Sequence, residues 1–457
     1  MVSIFCIIGA GISGLVSAKY CLEKGYKVII LDKNPGIGGV WLSSSYKNVK
    51  LQTTKYTYAF SDFPHFKNTS LYPNKTELIN YFTEYSNKHN LLKFCKFNTK
   101  VISTKFNKEK NKWIIKYVDQ NNQNVNQNNQ NYITVDYLII ASGFYTKKII
   151  PNIICENSKK IVHSKELSDL GTIKPKTMKN KDIVVIGNGP TGCDLSTLAV
   201  TLGAKSVKLL YRSNRWLFKR LLWNVYGTDK FLSRFVMKLG NNVPTFLYIV
   251  FMITFYYIYY LFLHGIYTLK IIPPFKPITR QNLVLNEDIV NYIYQEKIQY
   301  KKCKNIKIFK NNIVHDNEII NYDLCILATG YKSEIEFLNL KKIPLLYKRI
   351  IHPNLSNCCF IGFAASFNWV QVSELQIQWY LNYINGKQVS KKSMINEISN
   401  TLENLSSKAF DYHDLSILAF DYCDSLANDI GIKCKYSKYS YNYWFKPPEN
   451  DLWSINN

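Results

Sequence analysis

Two glycine-rich turns carry the chemistry open to this chain. Gly9-Ala10-Gly11-Ile12-Ser13-Gly14 follows an apolar run at 4–8 and opens a helical pattern (Leu15, Ala18, Cys21, Leu22). A second apolar run, Val28-Ile29-Ile30-Leu31, then ends on Asp32. Gly187-Asn188-Gly189-Pro190-Thr191-Gly192 repeats the arrangement after another predicted strand at 182–186. Strand, glycine turn, helix, strand is the order that binds a dinucleotide. The first glycine makes the tight turn, the second lets the backbone approach a pyrophosphate, and the third lets helix and strand pack closely. Free N–H groups at the helix start face the phosphates. The two units differ at the end of their second strand. The first ends on Asp32, which can accept hydrogen bonds from ribose hydroxyls. The second ends on Arg212, with Arg215 close behind. Only six of the 58 basic residues are arginine, so two arginines here are informative. A planar guanidinium suits phosphate, and an arginine at this position accommodates the 2′-phosphate of NADP. NADPH is therefore favoured over NADH.

The surrounding elements must hold these turns in place. Gly38-Gly39 offers a second close backbone approach, beside Trp41. Residues 46–73 are rich in Tyr, Phe, Pro and Thr and suit an ordered loop lining a pocket. Helical spacing covers 75–92, with Thr76 as the N-cap. Strands are predicted at 100–106, 112–118 and 132–140. The Asn/Gln tract at 120–131 reads as a disordered hairpin tip. The strand reaching Ala141-Ser142-Gly143 is echoed by 323–327 running into Ala328-Thr329-Gly330. Two strands ending on small residues imply two crossings between domains. Residues 244–269 hold no charged residue and are long enough to span a bilayer. They are rich in tyrosine and sit inside a nucleotide-binding unit that a spanning helix would split. A buried or membrane-surface helical hairpin is preferred to a spanning helix.

At 457 residues the chain is long enough for two or three domains. Its net charge of +26 is carried almost wholly by lysine. A solvated lysine surface is the simple reading; attraction to an anionic membrane or cofactor is the sharper one. No basic cluster sits in a nucleic-acid module, so nucleic-acid binding is not expected. Eleven scattered cysteines without a CxxC imply reduced thiols and a cytosolic-facing compartment. The seven histidines show no metal-like spacing, and no metal is expected. The N-terminal apolar run is too short for a signal peptide.

With these pieces in order, the chain resembles the flavin-containing monooxygenases, in particular the plant-type branch. The resemblance rests on IGAGISG at 8–14, GIGGVW at 36–41, LQTTKYTYAFSDFP at 51–64, IGNGPTGCD at 186–194, LATGY at 327–331 and GFAASFNWVQVSELQIQWY at 362–380. It implies an α/β fold with two Rossmann-like dinucleotide-binding domains, the NADPH domain inserted into the FAD domain. The FAD domain would comprise 1–148 and 323–457. The NADPH domain would comprise 149–322, with an apolar insertion at about 213–275. FAD would be lined by Gly9, Gly11, Ser13, Gly14, Asp32, Gly39, Val40, Trp41, Gln52, Thr53 and Val101. NADPH would meet Gly187, Gly189, Thr191, Gly192, Cys193, Asp194 and Arg212. The implied reaction passes a hydride from NADPH to FAD. A flavin C4a-hydroperoxide then forms with O2, and a soft nitrogen or sulfur nucleophile of a small molecule is oxygenated. Gln52 is the candidate hydrogen-bond donor near the peroxy group. Two departures from the family stand out, one around His163 and one at residue 52. Asn157 and Lys159 stand where an aromatic residue and a glycine precede His163, and Leu167 matches neither these enzymes nor the Baeyer–Villiger branch. Gln52 replaces the asparagine of animal-type members. The alternatives are a ketone oxygenase and a membrane-surface flavoprotein with lost or uncoupled activity. Oligomeric state is left open.

Overall fold

The computed structural model describes all residues except 1, 122–130, 223–225, 229–232, 265–270, 272, 274–282, 387–388, 407–412, 414, 416–417, 446–448, 450–451 and 454–457. The Asn/Gln tract therefore falls almost wholly outside the described residues.

Two five-stranded parallel sheets form the frame. The first has the order Cys358–Phe360, Tyr137–Ile140, Ile4–Ile8, Lys27–Leu31, Cys95–Lys96. The second has the order Gln299–Lys302, Ser206–Tyr211, Asp182–Ile186, Leu324–Leu327, Ile161–His163. In each sheet the central strand, Ile4–Ile8 or Asp182–Ile186, feeds a glycine turn and then a helix, Ile12–Glu23 or Pro190–Thr201. Ile4–Ile8 and the stretch 183–186 that follows Asp182 are apolar throughout because parallel strands are covered on both faces. The turn itself needs glycine: Gly9 has φ +115° and Gly187 φ +107°, where a side chain is strained.

Leu324–Leu327 hydrogen-bonds into the second sheet. The boundary expected at 322/323 is therefore one strand too early. The last strand of a nucleotide unit must close its own sheet before the chain can leave. The two crossings are present as Lys147–Lys148 paired antiparallel with Tyr331–Lys332. The strand expected over 132–140 divides. Asn131–Val135 joins an antiparallel sheet with Thr99–Asn107 and Lys112–Asp119, and Tyr137–Ile140 joins the first parallel sheet. The helix Lys75–Lys88 is capped by Asn74, with a reciprocal bond from Glu77, rather than by Thr76. An Asn with Glu three residues on satisfies two end groups at once.

The apolar segment is also corrected. Its described residues hold one helix, Thr245–His264, where a helical hairpin was expected. Tyr248, Ile249, Tyr256 and Tyr259 are buried, and Tyr256 packs edge-on against Trp216 and Phe218 of the second unit. No helix among the described residues is long and apolar enough to cross a membrane.

Candidate functional site

Both glycine turns open onto one cavity of about 1240 Å³. Pockets for a single small ligand run to about 300–1,000 Å³, so this one has room for two. Its wall takes Gly9, Gly11, Ser13, Asp32, Gly39, Val40, Trp41, Gln52, Thr53 and Val101 from the first unit and its loops. From the second it takes Gly187, Gly189, Thr191, Asp194 and Arg212. Gly11 and Gly189 start the two helices without any side-chain cap. The first-turn N–H groups are thus left for an anion.

Three expected residues are placed behind the wall. A Cβ at Gly14 would lie 1.9 Å from the Gly9 carbonyl oxygen, and one at Gly192 would lie 1.7 Å from that of Gly187. These glycines let the helix pack on its own turn. Cys193 is fully buried, its thiol 3.5 Å from the Asn188 carbonyl oxygen, and burial pushes its pKa up. It is a core residue, because the helix turns that position toward the sheet.

Asp32 does more than present an acceptor. Its Oδ2 accepts from the Ala10 N–H at 2.6 Å and its Oδ1 from the Asn34 N–H at 2.8 Å. The acid thereby fixes the shape of the turn beneath it. Burial pushes its pKa up, while both backbone bonds oppose the rise.

Two further polar atoms lie on the wall, one on Ser142, which the sequence does not single out as a binding group, and one on Arg215, the second of the arginine pair. Ser142 Oγ and Arg215 Nε are buried with no hydrogen-bond partner among the described residues. Ser142 sits against the Gly9 turn; Arg215 follows Arg212 on the loop after the second unit's strand. A buried polar group without a partner costs about 1–3 kcal/mol, a cost that a ligand can remove. The small residues at 141–143 and the second arginine were the available signals. With the uncapped helix ends, they fit a nucleotide at each turn.

Gln52 lies on the cavity wall and also orders its loop. Its Nε2 donates to the Leu285 carbonyl at 3.1 Å and its Oε1 accepts from the Leu285 N–H at 2.8 Å. The amide clamps the loop of the first unit to the strand Leu283–Leu285 of the second, leaving one N–H for the cavity. Replacing Gln52 by Leu is expected to accelerate amide exchange at Leu285 about tenfold, since two modest bonds are worth at least ~1.4 kcal/mol. Hydrogen-exchange mass spectrometry reads this, and an unchanged rate contradicts the clamp.

Asp194 is part of the same junction. It accepts from Tyr46 Oη at 2.8 Å and from Asn286 Nδ2 at 2.6 Å, with Arg220 at 3.9 Å. Burial pushes its pKa up, and Arg220 opposes this most strongly. Its carboxylate joins the domains instead of reaching freely toward a cofactor. Arg220 adds a bond to the Leu51 carbonyl. His163, the surviving signature histidine, accepts from the Lys165 N–H at Nδ1 and faces the Gly330 carbonyl through Nε2. It ties the edge strand Ile161–His163 to the start of the second crossing at Gly330, and burial lowers its pKa to about 4.

The loop that carries Gln52 is anchored farther on by a buried acid. Glu374 accepts from the N–H and hydroxyl of Ser61, and burial raises its pKa from 4.5 to about 8. Asp62 and Lys19 lie near it, with Asp62 held at about 2 by His89 and Lys19. A raised folded pKa means the folded chain keeps this proton where the unfolded chain has lost it. Stability contributed by Glu374 is therefore lost as pH rises from about 4.5 to about 8. The melting temperature is expected to fall by about 5 °C over that window, and Glu374→Gln should flatten the fall; equal slopes in both proteins contradict the assignment.

The site and fold together define a class: an oxidoreductase with two dinucleotide-binding units around a shared cavity. The family described as Flavin-binding monooxygenase-like matches residues 3–442. The chain belongs to that family, and it is a flavin-dependent monooxygenase using FAD and NADPH. Flavin-containing monooxygenase 3 of Canis lupus familiaris is 28% identical over 458 residues, covering 93% of this chain and 82% of the relative. Among solved structures, the S-allyl-L-cysteine S-oxygenase of Allium sativum matches with TM-score 0.65 and 18% identity, over 96% of this chain and 90% of that one. Cyclohexanone monooxygenase matches with TM-score 0.72 and 14% identity, over 93% and 97%.

Proposed function

We propose that this enzyme oxygenates a soft nitrogen or sulfur nucleophile of a small molecule, with FAD at the Gly9 turn and NADPH at the Gly187 turn. The observation that carries this reading is the pairing of an acid, Asp32, after the first unit and two arginines, Arg212 and Arg215, after the second, both on one cavity wall. Bound FAD, reduced by NADPH, supplies the activation of O2. The chain supplies the rest. The two uncapped helix starts hold the diphosphates. Arg212 and Arg215 receive the 2′-phosphate. Trp41, hydrogen-bonded to Tyr58 at 3.0 Å, and Trp369 wall the pocket with apolar surface that keeps water out. No acid–base pair is needed for a nucleophile that already carries a lone pair. Incubation with a tertiary amine, a thioether and a cyclic ketone separates the readings. N-oxide or sulfoxide supports the proposal; lactone alone supports the ketone oxygenase; peroxide alone supports an uncoupled flavoprotein.

The outer face of the helix Thr245–His264 supports a membrane-surface contact as well. Phe246, Leu247, Phe251 and Ile258 are 55–64% exposed on a chain of charge +26. An apolar helix face on a cationic protein suits an anionic bilayer surface. Co-sedimentation with phosphatidylserine vesicles, lost in Phe251→Asp, is the expected result; equal sedimentation of both proteins rejects it.

A further inference from the structure

We propose that Cys303, His315 and Asp316 form a binding site for one borderline divalent cation of the zinc class, outside the nucleotide cavity. No motif spacing announces it, since Cys303 and His315 are twelve positions apart. The fold brings them together. Asn312–His315 and Glu318–Asn321 form a hairpin whose turn is Asp316-Asn317, both with positive φ. That turn is folded against the end of Gln299–Lys302, immediately before Cys303. The thiolate, imidazole and carboxylate ligand atoms lie within 4.8 Å of one another.

The geometry suits tetrahedral coordination. Cys303 Sγ lies 3.4 Å from His315 Nδ1; Zn–S of about 2.3 Å and Zn–N of about 2.0 Å at a tetrahedral angle require about 3.5 Å. His315 Nε2 faces Glu318 Oε2 at 3.3 Å. No hydrogen bond joins the two, but a carboxylate this near the distal nitrogen is placed to take its N–H once Nδ1 is committed to a metal. Glu318 is itself held by Lys301 at 2.7 Å, which keeps it behind the histidine. Asp316 is exposed while Cys303 and His315 are buried, so the site opens to solvent on its carboxylate side. Water completes the fourth position. On binding, the Cys303 thiol gives its proton to solvent and a metal–sulfur bond forms with no change of oxidation state.

The position gives the ion a task. The Cys303 N–H donates to the Tyr211 carbonyl at 2.8 Å, one residue before Arg212. Lys304 and Ile306 lie on the cavity wall. An ion at Cys303 pins the hairpin against the rim that carries the arginines.

Chelator-treated, flavin-loaded full-length enzyme titrated with Co2+ tests the proposal. The expected result is one equivalent bound, with intense tetrahedral absorption in the red, clear of the flavin. Cys303→Ser should abolish that absorption while retaining flavin, and Asp316→Asn should weaken binding about tenfold or more. X-ray absorption of the stoichiometric Zn2+ complex of the unmutated enzyme should show one sulfur neighbour, which decides the matter even if a variant fails to fold. No stoichiometric uptake, a spectrum unchanged by Cys303→Ser, or a first shell without sulfur overturns it.

Discussion

Gly192→Ala should retain bound FAD and lose NADPH-dependent flavin reduction by about 100-fold or more, whereas Gly14→Ala should be isolated without flavin. The added methyl is the same in both. At Gly192 it would lie 1.7 Å from the Gly187 carbonyl oxygen, and at Gly14 it would lie 1.9 Å from that of Gly9. The opposing atom is backbone in each case, so the helix must move off its turn. That movement spoils the N–H groups aimed at a pyrophosphate. A factor of 100 corresponds to about 2.7 kcal/mol, modest for a displaced helix start. The pair of variants separates the two turns because each lies in its own parallel sheet. Flavin content is read from absorbance and reduction from stopped-flow mixing. If Gly14→Ala keeps its flavin and Gly192→Ala loses it, the assignment of cofactors to turns is reversed.

Arg212→Ala should raise the KM for NADPH about 10- to 100-fold, with kcat little changed and NADH kinetics unaffected. Charged hydrogen bonds to phosphate are worth about 1.5–3 kcal/mol, which sets the range. The 2′-phosphate is remote from the nicotinamide, so its loss removes binding without touching the reacting atoms. Arg215 limits the damage in the single variant. Burial lowers its pKa, and its Nε stays unpartnered within the described residues. An Arg212→Ala enzyme with equal losses for NADPH and NADH would place the arginine elsewhere in the reaction.

Much of this was legible in the residues. The glycine turns, their flanking strands and the acid or arginine that follows are local patterns, each within about 30 positions. The double crossing was legible from two strands ending on small residues. The junction was not. Gln52 meets Leu285 across 233 positions, Tyr46 meets Asp194 across 148, and Ser61 meets Glu374 across 313. Such pairs depend on how the two sheets are set against each other, which periodicity does not encode. The sequence therefore offers Gln52 as a donor to the reaction or as an ordering residue of its loop, and only the fold shows the bonds to Leu285. Cys193 was assigned to the cofactor by its place in a motif, although its helix turns it into the core. The end of the second unit was misplaced by one strand for a related reason. Leu324–Leu327 is equally apolar on either reading, and only its pairing with Asp182–Ile186 shows which sheet it closes.

The central claim is that one cavity brings NADPH to a flavin held by the first turn. Anaerobic mixing of the FAD-loaded enzyme with NADPH tests it most directly. The account predicts full bleaching of the oxidised flavin by one equivalent of NADPH, and much slower bleaching by NADH. A flavin that stays oxidised under excess NADPH would contradict it.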